Sequence, residues 1–276
     1  AVSACEKGGQ WVQALRLLVE MASARVELNT ITYSAAVSAC EKGGQWDCAL
    51  RLLVEMASAQ VELNTITYSA GVSACEKGGQ WVAAAGLLVG MALARVELNT
   101  ITYNAAVSAC EKGGQWDQAL GLSTEMASAR VDMNTITENA GVSACKKGGQ
   151  WDQALRLLVQ MAFARVELDT ITYNAAVSAC EKSGEWDQAL KRLVEMASAR
   201  VELSTITYNA AISACGKGGQ WATALMLLVE MAVAEVQLNT ITYNAAVSAC
   251  ETDCQWAAAL KRLVEMASAR VELSTI

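Results

Sequence analysis

The sequence predicts an all-α fold, an α-solenoid superhelix of stacked two-helix repeats. Three observations predict it: an uninterrupted 35-residue period, two helical stripes within each period, and glycine punctuation between them. Trp11, Trp46, Trp81, Trp116, Trp151, Trp186, Trp221 and Trp256 set the period, each 35 residues from the last. Cys5, Cys40, Cys75, Cys110, Cys145, Cys180, Cys215 and Cys250 keep the same step, as do the methionines from Met21 and Met56 through Met266. A frame opened at Thr30 makes 1–29 a partial repeat. Seven full repeats follow at 30–64, 65–99, 100–134, 135–169, 170–204, 205–239 and 240–274, and 275–276 begin another. Terminal repeats ordinarily carry a polar cap over the last apolar face, so a chain that opens and stops within a repeat is expected to be a segment of a longer array.

The first helix of the unit is expected from about Ile31 to Lys42, because Tyr33, Ala36, Val37 and Cys40 fall at i, i+3, i+4 and i+7. Asn29, Thr30 and Thr32 are candidate N-caps. Gly43 and Gly44 end it, since glycine adopts the left-handed conformation cheaply. A second helix begins near Gln45, with Trp46, Ala49, Leu50, Leu53 and Met56 or Ala57 along one face. Asp47 suits its first turn. Arg25, Arg95, Arg130, Arg165, Arg200 and Arg270 mark the equivalent last turn, where a cation complements the helix dipole. A Val-Glu-Leu-Asn linker closes the unit. One hairpin cannot bury both helices, so successive hairpins stack, and whatever projects from the start of each first helix becomes a ladder.

The chain is 53% hydrophobic and 18% charged, enough for a continuous core and too apolar for disorder. Its net charge of −7 runs against the basic footprint usual for nucleic-acid binding. No secretory leader is readable at Ala1. The most apolar stretch, WVAAAGLLVGMALA from Trp81 to Ala94, is shorter than the roughly 20 residues of a membrane span, and it is read as a buried helix.

The cysteine ladder is read as small core hydrophobes. Neighbouring helices in a stack lie roughly 10 Å apart, beyond the Cα reach of about 7 Å that a disulfide allows. There is no histidine and no Cys-x-x-Cys, so the usual zinc sets are missing, and Cys250 with Cys254 is a lone Cys-x-x-x-Cys. Unpaired thiols in this number point to a reducing compartment. The same composition excludes histidine general bases, the Ser-His-Asp triad and zinc deamination, and the repeated Lys-Gly-Gly-Gln is a turn lacking the P-loop order. No catalytic residue, metal or cofactor is assigned, and the chain is not expected to be an enzyme.

The unit ITYNAAVSACEKGGQWDQALGLSTEM at 101–126 resembles the pentatricopeptide repeat, with its Thr-Tyr-Asn opening, Lys-x-Gly before the second helix, Ala-Leu within it and Glu-Met near its end. The resemblance covers essentially the whole chain. Departures are Arg25 with Leu28 and Arg95 with Leu98 where the family has glycine and proline, Glu138 in place of tyrosine, and Thr252 in place of lysine. The resemblance implies sequence-specific single-stranded RNA binding at one base per repeat. It implies base reading by the fifth and last residues of each unit: Ser34 with Asn64, Ser69 with Asn99, Asn104 with Asn134, Asn139 with Asp169, Asn174 with Ser204, Asn209 with Asn239, and Asn244 with Ser274. The second residues, Ile31, Ile66, Ile101, Ile136, Ile171, Ile206 and Ile241, are implied to pack on the bases. With the N-terminal unit at the 5′ side, the implied target is AAYUCYC.

These residue types suit that task, since asparagine, serine and aspartate offer different sets of donors and acceptors. They vary while the body of the repeat hardly does. The same types also cap helices, which is an alternative reading of the last position. Lys42, Lys77, Lys112, Lys147, Lys182 and Lys217 form a second ladder. The resemblance implies that they approach phosphates; complementing the helix dipole is the alternative. A rival function is a helical protein-binding scaffold or a structural subunit of a larger assembly, favoured by the acidic total and the absence of linker proline. Resemblance to a mostly organellar family implies RNA metabolism in a mitochondrion or plastid, with other proteins of an organellar complex as further partners.

Overall fold

A computed structural model describes residues 2–129, 131, 134–163, 166 and 168–251, with the side chains of 250 and 251 excepted. Fifteen helices and no strand occur among the described residues. The first helices of successive repeats are α1 (Val2–Lys7), α3 (Thr30–Lys42), α5 (Thr65–Lys77), α7 (Thr100–Lys112), α9 (Thr135–Gly148), α11 (Thr170–Ser183), α13 (Thr205–Lys217) and α15 (Thr240–Glu251). The second helices are α2 (Trp11–Ser23), α4 (Trp46–Ser58), α6 (Trp81–Leu93), α8 (Trp116–Ser128), α10 (Trp151–Phe163), α12 (Trp186–Ser198) and α14 (Trp221–Val233). The fold is an all-α solenoid of helical hairpins. By its contacts the chain divides inside α9 into two units, Ala1–Ala144 and Cys145–Ile276.

In the first unit α1, α3, α5 and α7 pack in file, and each second helix packs on its own first helix, with α2, α4 and α6 also reaching the next one. In the second unit α11, α13 and α15 form the file, and α10, α12 and α14 cover it in the same way. A first helix is therefore enclosed on three sides. Its residues match that setting: in α3, Tyr33, Ala35, Ala36, Val37, Ser38, Ala39 and Cys40 are all buried, and most of them are small. Second helices are amphipathic, and in α4 the buried face is Cys48, Ala49, Leu52, Leu53 and Met56, so Met56 and not Ala57 continues the stripe.

The glycine pair after each first helix has two separate jobs. Gly44 has φ of 69°, and the bonds Gly44 N to Glu41 O and Gln45 N to Cys40 O close a Schellman turn. Gly43 instead makes room: a Cβ there would lie 2.4 Å from Cδ1 of Trp11, the half-buried indole of the preceding repeat. In the fifth repeat Ser183 takes this place, and its hydroxyl donates to Gly149 O at 3.0 Å.

Two expectations are corrected. The arginines do not sit in the last turn of the second helix. Arg25, Arg95 and Arg200 lie just past it at φ 54–56°, as do Gln60 and Glu235, in the left-handed conformation. There they occupy the C′ position of a second Schellman turn, as in Arg25 N to Ala22 O and Val26 N to Met21 O. Arg130, Arg165 and Arg270 lie outside the described residues. Nor is α6 a buried helix. It buries Ala84, Leu88 and Met91, while Val82, Val89 and Leu93 are 60–81% exposed. It keeps the register of the other second helices, so its apolar substitutions fall on the outer face, where α4 carries Asp47, Arg51 and Glu55. No described helix is long and apolar enough to cross a membrane.

The described ladder cysteines are free thiols, all buried except the half-buried Cys5. Burial pushes Cys40, Cys75, Cys110, Cys180 and Cys215 up to about 11 and Cys145 to about 12, so they persist as uncharged core groups. Cys254 and the Cys250 side chain lie outside the described residues.

Tyr33, Tyr103 and Tyr208 are buried and donate to Glu55, Glu125 and Glu230 at 3.1–3.3 Å. Glu138 occupies the tyrosine position in the fourth repeat. It is 2% exposed, its Oε2 has no hydrogen-bond partner, and burial raises its pKa from 4.5 to about 7.

Two outcomes follow. The left-handed conformation costs an arginine roughly 1–2 kcal/mol, and glycine's greater unfolded-state freedom offsets about 0.5–1 of it, so Arg95→Gly and Arg200→Gly should each raise stability by about 1 kcal/mol or less in a denaturant melt, whereas Gly44→Ala should lower it. For Glu138 the folded state holds a proton that the unfolded chain releases near its ordinary pKa. Its stabilising contribution is thus complete below about pH 4.5 and declines as pH rises through about 7. At about 1.4 kcal/mol per unit, the decline is at most about 3.5 kcal/mol. Glu138→Gln should flatten that segment of the melting curve against pH, and parallel wild-type and variant curves would show the carboxyl to be solvated.

Candidate nucleic-acid interface

The start of each first helix is built by its cap. Asn29 has an extended backbone, φ −111° and ψ 173°, and its Oδ1 accepts from Thr32 N at 3.0 Å. Thr30 is thus the first helical residue and Thr32 the third; neither is the cap. The same geometry recurs with Asn64, Asn99, Asn134, Asp169, Ser204 and Asn239, each accepting from the backbone N–H of the threonine three residues on. Every described last-position residue is therefore an N-cap. Ser274 lies outside the described residues.

The threonine hydroxyl is the part that sequence reasoning missed. Thr67, Thr102, Thr137, Thr172, Thr207 and Thr242 are fully buried. Thr67 Oγ1 donates to Asn64 Oδ1 at 2.8 Å and also meets Ser34 Oγ, the fifth residue of the preceding repeat, at 2.7 Å. Thr102 joins Asn99 and Ser69 in the same way, at 2.9 and 2.8 Å. Thr137 reaches Asn104, and Thr207 reaches Asn174. The only sequence signal for this role is that threonine stands third in every unit.

The fifth and last residues of a repeat also meet directly. Asn104 Nδ2 donates to Asn134 Oδ1 at 3.3 Å, Asn174 Nδ2 to Ser204 Oγ at 3.4 Å, and Asn209 Nδ2 to Asn239 Oδ1 at 3.4 Å. Asn139 and Asp169 fall in different units. The fifth residues from Ser34 to Asn209 are half-buried, and Asn244 is exposed. Because the cap uses the Oδ1 of asparagine, the chemistry an asparagine rung turns outward is its amide donor. Aspartate presents acceptors only, and serine a hydroxyl.

One apolar side chain stands in the first turn of each first helix from α3 onward, three residues before the fifth-position residue. Ile31, Ile66, Ile101, Ile136, Ile171, Ile206 and Ile241 are 62–73% exposed. A β-branched residue left in water at the same place in seven successive repeats is not serving the core of the fold.

The lysine ladder is engaged between repeats. Lys42 pairs with Glu6 at 3.8 Å, Lys77 with Glu41 at 2.9 Å, Lys112 with Glu76 at 2.9 Å and Lys217 with Glu181 at 3.4 Å, each reaching back to the preceding first helix. Lys182 donates to the carbonyl oxygen of Lys147 at 3.1 Å. Lys147 is exposed at the end of α9, and Thr252 lies outside the described residues. No group of three or more metal-ligating side chains occurs among the described residues.

Known proteins show the same pattern. The family described as "PPR repeat family" matches residues 168–217 and 203–252, "Pentatricopeptide repeat domain" matches 16–77, and "PPR repeat" matches 101–131. No curated protein sequence matches the chain. Among solved structures, the pentatricopeptide repeat protein PPR10 from maize superposes with a TM-score of 0.70 at 26% identity, over 97% of this chain and 38% of its own. PPR10 in complex with an 18-nt psaJ RNA element gives 0.51 at 20% identity, over 93% of this chain and 42% of its own. The PPR domain of Arabidopsis thaliana protein-only RNase P 1, in complex with tRNA, gives 0.55 at 17% identity, over 62% of this chain and 90% of its own. The present chain thus spans well under half the length of the PPR10 chains. With repeat-family matches over more than half of its residues and a helical hairpin in each period described through both of its helices, the chain belongs to the pentatricopeptide repeat family.

Proposed function

We propose that this array binds single-stranded RNA sequence-specifically, one base per repeat, in organellar RNA metabolism in a mitochondrion or plastid. The observation that carries the reading is the recurring pair of an exposed isoleucine and a hydrogen-bonded polar couple. Isoleucine supplies a flat apolar surface for any base face, and the polar couple supplies the discrimination. An asparagine amide or serine hydroxyl at the last position can donate to N3 of cytosine or N1 of adenine. Aspartate can only accept, which suits the N3–H of uracil. PPR10 and the RNase P domain, both solved with RNA, support the class of ligand. The target read along the array is AAYUCYC. At its paired steps the lysine ladder would follow the phosphates only weakly, since each contact must first break a glutamate pair. The chemistry assigned here is binding, with no reaction at the repeats.

One observation favours protein binding on the other layer. The outer face of α6 is uncharged, with the exposed Val82 and Gly86 and the half-buried Gly90 standing where α4 carries Asp47, Arg51 and Glu55. A protein of the same RNA-processing complex would meet that face while RNA occupies the first helices.

The test is an exchange of one rung. Asp169→Ser should move the preference from AAUUCUC to AAUCCUC, by about 1 kcal/mol or roughly fivefold, if one base-edge hydrogen bond is swapped. Fluorescence anisotropy with both RNAs and both proteins measures it, and an unchanged preference would leave the protein-binding reading as the better one.

A further inference from the structure

The lysine ladder has one step unlike the others. At four described steps the lysine pairs with a glutamate of the preceding first helix, so the step carries no net charge. In the fourth repeat the residue in that glutamate's place is Lys146. Among the described residues neither Lys146 nor Lys182 is paired with a carboxylate. Lys182 Nζ instead caps the end of α9 through the carbonyl oxygen of Lys147 at 3.1 Å. A step that is neutral at those four places here holds two lysines, Lys146 and Lys182, in a chain whose total is −7.

The position of this charge relative to a reading residue is legible in α11. Asn174 and Glu181 are seven residues apart, two turns along one helical stripe and about 10.5 Å along the axis. Glu181 lies close enough to that surface to accept from Ser213 Oγ and pair with Lys217 on the next first helix. Lys146 is the residue of α9 in the register of Glu181. A cation there stands two turns from the base-reading end of its helix, a span that an extended nucleotide covers from base edge to phosphate.

We infer that Lys146 and Lys182 form a phosphodiester site that the neutral steps of the ladder lack, anchoring the RNA backbone at the fourth and fifth repeats. The inference rests on the RNA-binding reading above. With one Lys182 donor held by the Lys147 carbonyl, two ammonium groups leave up to about five donors for the non-bridging oxygens, and binding there displaces no glutamate. Elsewhere a phosphate must first break an ion pair. The backbone is thus held most firmly at these two repeats, and the flanking repeats read bases from an RNA already tethered.

The experiment is a salt titration of labelled AAUUCUC binding to the full chain, with Lys146→Glu, Lys146→Gln, Lys182→Ala and Lys112→Ala compared. Lys146→Glu restores the residue of every other repeat but the sixth, which has Gly216, on a half-exposed site. It should weaken all RNA sequences alike and lower the salt slope by about 0.7 for each phosphate no longer neutralised, or about fivefold in affinity between 1 M and 0.1 M salt. Lys146→Gln and Lys182→Ala should act in the same direction, and Lys112→Ala, which opens a neutral step, should change affinity by about twofold or less. If wild type binds RNA with its Asp169-dependent preference but Lys146→Glu and Lys146→Gln leave affinity and slope unchanged, the site is wrong and the RNA reading stands. If wild type shows no salt-dependent binding to any RNA of a random pool, both fall.

Discussion

The packing of successive first helices against one another is the constraint on which the rest of the structure depends. It is made by small residues. Ala36, Ala39 and Cys40 of α3 are wholly buried, and in α13 a Cβ added to Gly216 would stand 3.0 Å from the Cβ of Ala249 on α15. Larger side chains would push the helices apart and break the cross-repeat bonds that need close approach. Ser34 could not then meet Thr67, nor Lys77 reach Glu41. Such packing carries little transfer energy per residue, because alanine and cysteine bury little area. The stabilising area comes from the second helices, whose Leu52, Leu53 and Met56 fill the space behind.

Close approach of the first helices also turns a recognition ladder into part of the scaffold. The last residue of a repeat caps the next first helix, and the fifth residue bonds both that cap and the buried threonine behind it. Replacing a cap by alanine would cost about 1 kcal/mol before any ligand is considered. The residues able to read a base are thus restricted to types that also cap, which are Asn, Asp and Ser. The two readings of the last position, cap and reader, describe one set of side chains seen from its two ends.

The architecture was legible because it repeats: tryptophan and cysteine spacing placed the units, apolar stripes placed both helices, and the glycine pair placed the turn between them. Asn29 was identifiable as a cap, though Thr30 and Thr32 were equally good by residue type. What decides among them is backbone conformation, which type alone does not reveal. The left-handed arginines were hidden for a related reason: arginine is a poor residue for φ near 54°, so dipole complementarity was the more natural assignment. Glycine in the corresponding place of the family was the available clue. The exposed face of α6 was misread because a helix without a single charged residue suggested burial on every side. Register against neighbouring helices, where Asp47 and Arg51 mark the outside, was the better guide.

The lysines were legible as a ladder but not as half of one. Each partner lies 36 residues away, as Glu41 does from Lys77, a separation that closes to an ion pair only once the helices are stacked in register. Pairing changes what an acidic total means for an RNA-binding chain. Glutamates that offset the lysines one for one remove the long-range attraction that a bare lysine row would exert, and with it much of the sequence-independent affinity. A neutral ladder leaves discrimination to the base-reading couples, since phosphate contacts carry no sequence information. Some charge is still needed to hold the strand while the bases are tested. Lys146, in the only described repeat whose ladder step has lysine in the glutamate place, supplies it locally, so weak general attraction and firm local anchoring coexist in one array.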